Sequence, residues 1–128
     1  MNQYEEIENR ALNAKTLDDS AEVLFFLLSR GFSVWTDGRL YNIKQLVARV
    51  DGIKIEVFAR EHPPPHFHIE GGGIDATFSI RDCSLIDGRI NGRERALVEW
   101  WYKRSRSVLV KAWNNSRPAN CPVGPIEE

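Results

Sequence analysis

The sequence predicts an α+β domain, with an antiparallel sheet packed against N-terminal and C-terminal helices. Three observations lead there. Apolar residues recur at helical spacing near both ends of the chain. Between those ends they alternate with polar residues, the period of a strand. The pairs Asp37-Gly38, Asp51-Gly52 and Asn91-Gly92 and the run Gly71-Gly72-Gly73 punctuate the alternating segments as turns do.

The first helix is expected over residues 3–14, with Tyr4, Ile7 and Ala11 on one stripe. Thr16 is placed to cap a second helix over 17–30, with Asp18 and Asp19 in its first turn where the helix dipole favours acid. Its stripe is Val23, Leu24, Leu27 and Leu28, broadened by Phe25 and Phe26, and Gly31 stands where a left-handed cap would end it. A hairpin follows, with strands over 32–36 and 40–42 joined at Asp37-Gly38. Residues 43–50 fit helix and strand equally. Ile53, Ile55 and Val57 then alternate with Lys54, Glu56 and Phe58 as a strand. Pro63-Pro64-Pro65 cannot lie inside a helix or a central strand and reads as an extended connector.

Residues 66–70 and 74–80 form the next hairpin, and its register decides where the histidines point. A two-residue turn at Gly71-Gly72 pairs Ile69 with Ile74 and Phe67 with Ala76, setting His68 opposite Asp75 and His66 opposite Thr77. A three-residue loop would bury both histidines, because one slip reverses every side chain. The alternation of Ile74, Ala76, Phe78 and Ile80 favours the first, which gathers His66, His68, Glu70, Asp75 and Thr77 on one polar face. A short strand is expected near 84–86. One helix, or two broken near Ser105, fills 93–115, with Leu97, Trp101, Val108 and Ala112 on a stripe and Val98, Tyr102, Leu109 and Trp113 beside it. The tail from Pro118 onward reads as irregular.

A chain of 128 residues, 42% of them hydrophobic, fits one domain over 1–128 and can bury a core without disulfide or metal. Its apolar runs fall far short of the ~20 residues a spanning helix needs, so no membrane role is expected. The acidic start Met-Asn-Gln-Tyr-Glu-Glu predicts no secretory signal, and hence a cytoplasmic chain with Cys83 and Cys121 reduced. The net charge of −1 is uneven: residues 89–117 carry eight Lys and Arg against Glu94 and Glu99, or +6, leaving −7 elsewhere. Such a segment invites nucleic acid, with Arg93, Lys103, Arg104, Arg106 and Lys111 as candidate binding residues. It equally describes an ordinary solvated helix face. Trp100, Trp101, Tyr102 and Trp113 could stack on bases there, although their helical spacing favours the core.

All three histidines lie within seven residues, at His62, His66 and His68. His-x-His on a strand presents both imidazoles to one side, ~6.5–7 Å apart along the chain. With Glu61, Glu70 or Asp75, these three are candidate ligands for zinc or another divalent metal. Without metal, His62, His66 and His68 with Asp75 or Glu70 are candidate catalytic groups. His66 and His68 would then act as general acid and base, and Arg60 or Arg81 would steady a phosphate. A purely structural role, with the imidazoles hydrogen-bonded to Asp75, Thr77 or backbone, is the third alternative. Cys83 and Cys121 read as structural thiols, with thiolate ligation of the same metal as the alternative. No P-loop, dinucleotide fingerprint or nucleophile elbow is present.

Asp51-Gly-Ile-Lys-Ile-Glu-Val-Phe, Glu61-His-Pro-Pro-Pro-His-Phe-His-Ile-Glu, Ile74-Asp-Ala-Thr-Phe, the Gly88 turn, Trp100-Trp101 and Trp113 together resemble a family of small bacterial proteins, domain of unknown function 4160. The resemblance spans about 50–124 and departs from the family's His-Pro-Pro-His-Phe-His core by one additional proline. It leaves 1–49 as an N-terminal helical and hairpin extension, an added module or partner-binding element. It implies an accessory binding protein, a component of a bacterial or phage toxin–antitoxin-like system that engages a protein or nucleic acid. It supplies no catalytic residues. The alternative expectation is a small His-dependent hydrolase, most plausibly a nuclease, with or without a divalent metal.

Overall fold

The computed structural model describes residues 2–42, 52–57, 64–116 and 126. Helix α1 spans Gln3–Asn13, and the Asn2 side chain caps it by accepting from the Glu5 N–H at 3.0 Å. Helix α2 spans Leu17–Ser29, and Thr16 Oγ1 accepts from the Asp19 N–H at 3.1 Å, the cap its sequence predicts. Strands β1 (Phe32–Val34) and β2 (Leu40–Asn42) make an antiparallel hairpin. Strands β3 (Lys54–Val57), β4 (His66–Gly71), β5 (Ile74–Ser79) and β6 (Leu85–Arg89) form an antiparallel sheet in that spatial order. Helix α3 spans Gly92–Ser116. The fold is α+β, with helices at both ends of the chain, as expected.

Two details differ from expectation. Among the described residues the strands make two sheets rather than the single sheet expected, and the β1–β2 hairpin is tied to α3. Arg93 on α3 donates from Nε to the Phe32 carbonyl at 2.8 Å and from Nη2 to the Leu28 carbonyl at 3.1 Å. Of the one helix or two expected over 93–115, the structure has one: α3 runs unbroken through Ser105, which is fully buried. Strand β6 extends to Arg89, beyond the short strand expected at 84–86, by pairing Asp87 with Thr77 and Arg89 with Asp75.

The apolar side of the sheet faces α3. Phe67, Ile69, Ala76 and Phe78 are all but fully buried, and α3 brings Trp101 and Tyr102 against them. The Phe67 ring lies 5.4 Å from Phe78, 5.9 Å from Trp101 and 6.2 Å from Tyr102. Tyr102 donates its hydroxyl to the Ile80 carbonyl, tying helix to sheet. Trp101 also donates Nε1–H to the Ser20 carbonyl at 2.7 Å, which fixes α2 against α3. Trp101 and Trp113 are fully buried and Trp100 nearly so, so all three are core residues rather than exposed stacking platforms. In the last turn of α3, the Asn114 side chain holds both backbone groups of Ile126 at 2.9 Å.

Candidate functional site

Alternation along β4 and β5 turns one face of the sheet to the helices and leaves the other polar. The β4–β5 hairpin closes through a two-residue turn at Gly72-Gly73, whose φ values of 61° and 86° suit glycine in a hairpin turn. This corrects the expected register by two residues. His68 stands opposite Thr77 rather than Asp75, and His66 stands opposite Ser79 rather than Thr77. A two-residue shift preserves the period of two, so His66, His68, Glu70, Asp75 and Thr77 still share a face. The neighbouring strands add to it: β3 sets Glu56 beside His68 and Lys54 beside Glu70, and β6 sets Asp87 beside Thr77 and Arg89 beside Asp75.

His68 is the best-positioned of the sequence candidates. Its Nε2 lies 2.9 Å from Asp75 Oδ1 and its Nδ1 lies 2.9 Å from Thr77 Oγ1. A carboxylate only accepts, so Nε2 carries a proton. In the neutral ring Nδ1 therefore accepts from the Thr77 hydroxyl, giving one hydrogen-bonded line from Asp75 through His68 to Thr77. The His68 side chain is 25% exposed and that of Asp75 is 79% exposed, so the line is open to solvent at its acidic end.

His66 is placed differently. It is 7% exposed, and its Nδ1 lies 2.9 Å from the Pro64 carbonyl, which only accepts, so the proton sits on Nδ1. The Ile80 N–H donates to the Pro65 carbonyl at 3.0 Å, fixing the end of the proline connector to the sheet. The two imidazoles thus share a face but donate through opposite ring nitrogens and differ in exposure. Lys54 and Glu56 pair on the same face at 2.7 Å, and Glu70 is exposed.

Glu61 and His62, with Arg60, Cys121, Arg117 and residues 43–51, lie outside the described residues. Among the described residues no group of three or more His, Cys, Asp and Glu is gathered as a metal would require. Cys83 is buried in the turn before β6 with φ 62°, and burial pushes its thiol up to about 12. A thiol so shifted is a poor thiolate ligand or nucleophile. Tyr102 is also raised by burial.

The basic segment divides into two groups. Arg93 serves the two carbonyls described above. Arg104 pairs with Glu8 at 3.0 Å, donates to the Trp100 carbonyl at 3.0 Å and lies 3.8 Å over the Trp100 ring. Arg106 reaches the Tyr102 hydroxyl at 3.3 Å, and Arg95 bonds Glu99 at 2.9 Å and the Cys83 carbonyl at 3.0 Å. Lys103 and Lys111 are exposed. Trp35, 55% exposed and stacked on Tyr41 at 4.1 Å, was not among the sequence candidates. It stands between two open clefts of about 520 and 420 Å³ that share Gly38, Trp100 and Arg104.

Residues 52–114 match the family described as Domain of unknown function (DUF4160). That segment belongs to this family. The matched span covers β3–β6 and most of α3, the elements that carry the polar face and the core behind it, and is narrower than the expected 50–124. No curated protein and no solved structure matches the chain. Among the described residues, no helix is long and apolar enough to cross a membrane.

Proposed function

We propose that the chain is a small accessory binding protein whose polar sheet face engages a protein segment rich in Lys or Arg. The observation that carries this reading is the charge of that face. Glu56, Glu70, Asp75 and Asp87 stand there against Lys54 and Arg89, and Glu70, Asp75 and Asp87 are exposed. An acidic surface repels nucleic acid and steers a basic partner toward it. The arginines that a nucleic-acid interface on α3 would draw upon, Arg93 and Arg104 foremost, already bond within the molecule. A protein partner, as in the toxin–antitoxin-like setting that the family resemblance implies, is therefore favoured over nucleic acid. Fluorescence anisotropy with labelled Lys/Arg-rich peptides and single-stranded RNA tests this. The peptides should bind, and Glu70→Lys/Asp75→Lys should weaken them about tenfold or more. Binding of the RNA but not of the peptides would overturn the reading.

A second reading, the His-dependent hydrolase, rests on the Asp75–His68–Thr77 line. It has the order of an orienting carboxylate, a base and a hydroxyl whose proton the base can take. Zinc or another divalent metal, with His62 and His66 as further ligands, remains part of this reading. Incubation with RNA, with and without added divalent metal, should then give cleavage that His68→Ala abolishes while the melting temperature falls by only about a few degrees. Intact RNA under both conditions would remove the nuclease form.

A further inference from the structure

Strand β6 is one of the two outer strands of the four-stranded sheet, and all five of its residues are exposed. An outer strand offers a row of backbone donors and acceptors, and folds usually blunt it with charged side chains, lysine above all, or with proline, a bulge or a covering element. Leu85–Arg89 contains neither lysine nor proline, and its two apolar residues, Leu85 and Ile86, are 41% and 44% exposed. Its bulge is at Ile86, the residue passed over where the register goes from Thr77–Asp87 to Phe78–Leu85, so the regular ladder runs over Asp87–Arg89. Residues 86–90 read Ile-Asp-Gly-Arg-Ile, with Ile90 just past the strand and half-buried against the core.

That stretch is self-complementary. Laid antiparallel on itself with Gly88 at the two-fold axis, it sets Ile86 against Ile90 and Asp87 against Arg89, and each pairing occurs twice. Moving the axis to Asp87 would oppose two carboxylates, and moving it to Ile86 would set Leu85 against Asp87. Cross-strand pairs of opposite charge and of apolar side chains stabilise a ladder, whereas like charges destabilise it. Gly88 is required by the fold itself, since a Cβ there would stand 2.1 Å from the Asp75 carbonyl oxygen. At the axis its lack of a side chain also leaves the two backbones free to approach.

We infer that β6 pairs antiparallel with β6 of a second copy of this chain, with Gly88 on the two-fold axis, joining two sheets into one of eight strands. The inference does not rest on the partner proposed for the sheet face. Five residues per chain bury less than the ~1,000 Å² of a durable interface, so the dimer is a weak one.

Sedimentation of the full chain from micromolar to near-millimolar concentration tests it. The wild type should pass from monomer to dimer across that range. Asp87→Arg opposes two guanidiniums at each pairing and should raise the dissociation constant about tenfold or more. Asp87→Arg/Arg89→Asp should restore it. Ile86→Lys, which leaves both charges in place, should also weaken the dimer, and melting curves verify that each variant is folded. A monomer at every concentration, or a dimer that these substitutions leave unchanged, would overturn the inference.

Discussion

Phe67→Ala should remove about 3–5 kcal/mol of folding stability, the cost of truncating a fully buried phenylalanine. The ring has no exposed surface and touches aromatic neighbours from β5 and α3. Losing it opens a cavity where sheet and helix meet. Against a total of ~5–15 kcal/mol for an ordinary domain, that loss is most of the stability at the lower end of the range. Denaturant unfolding followed by tryptophan fluorescence measures the loss. The adjacent His68→Ala, on the open face, should cost only about 1 kcal/mol, the worth of a part-exposed hydrogen bond. The contrast between neighbours on one strand tests the face assignment on which the candidate site depends. Similar losses at both positions would contradict the burial that separates them.

That face was legible because strand alternation is local: Ile74, Ala76 and Phe78 mark the inner side, and the polar side follows by elimination. The turn was harder. Both Gly71-Gly72 and Gly72-Gly73 can close a two-residue hairpin, and both keep the same residues on each side, so hydrophobic pattern alone could not choose between them. The choice depends on backbone beyond the hairpin. A Cβ at Gly71 would stand 2.2 Å from the Gly52 carbonyl oxygen, a contact from before β3. Lys54, Glu56, Asp87 and Arg89 were missed as members of the face for a related reason. Their membership follows from strand order, which a single sequence encodes only through pairings between distant segments. His66 was placed on the correct face, but its burial was not foreseen, because alternation predicts direction and not cover.

The basic segment illustrates the same limit through charge, and Arg93 is its clearest test. Counting residues 89–117 gives a strongly positive segment, yet the count says nothing of what each guanidinium meets after folding. Arg93 meets two backbone carbonyls more than sixty residues earlier in the chain, those of Leu28 and Phe32, both on buried residues. The Leu28 carbonyl lies in the last turn of α2, where carbonyls lack helical partners and the dipole favours a cation. Arg93→Ala should therefore cost about 2–4 kcal/mol, since it removes two charge-assisted bonds and leaves their acceptors to be desolvated without a partner. Arg93→Lys should recover only part of this, because an ammonium lacks the fork that spans both carbonyls. Lys103→Ala and Lys111→Ala, both exposed, should stay within about 0.5 kcal/mol of the wild type. Thermal and denaturant unfolding of the four variants separates the possibilities. If Arg93→Ala unfolds like the two lysine variants, its guanidinium is not holding the hairpin, and a phosphate-facing role for α3 regains its force. If it falls well below them, the positive charge of this segment at Arg93 serves the junction of α2, β1 and α3, and nucleic-acid affinity should not be expected from its sum.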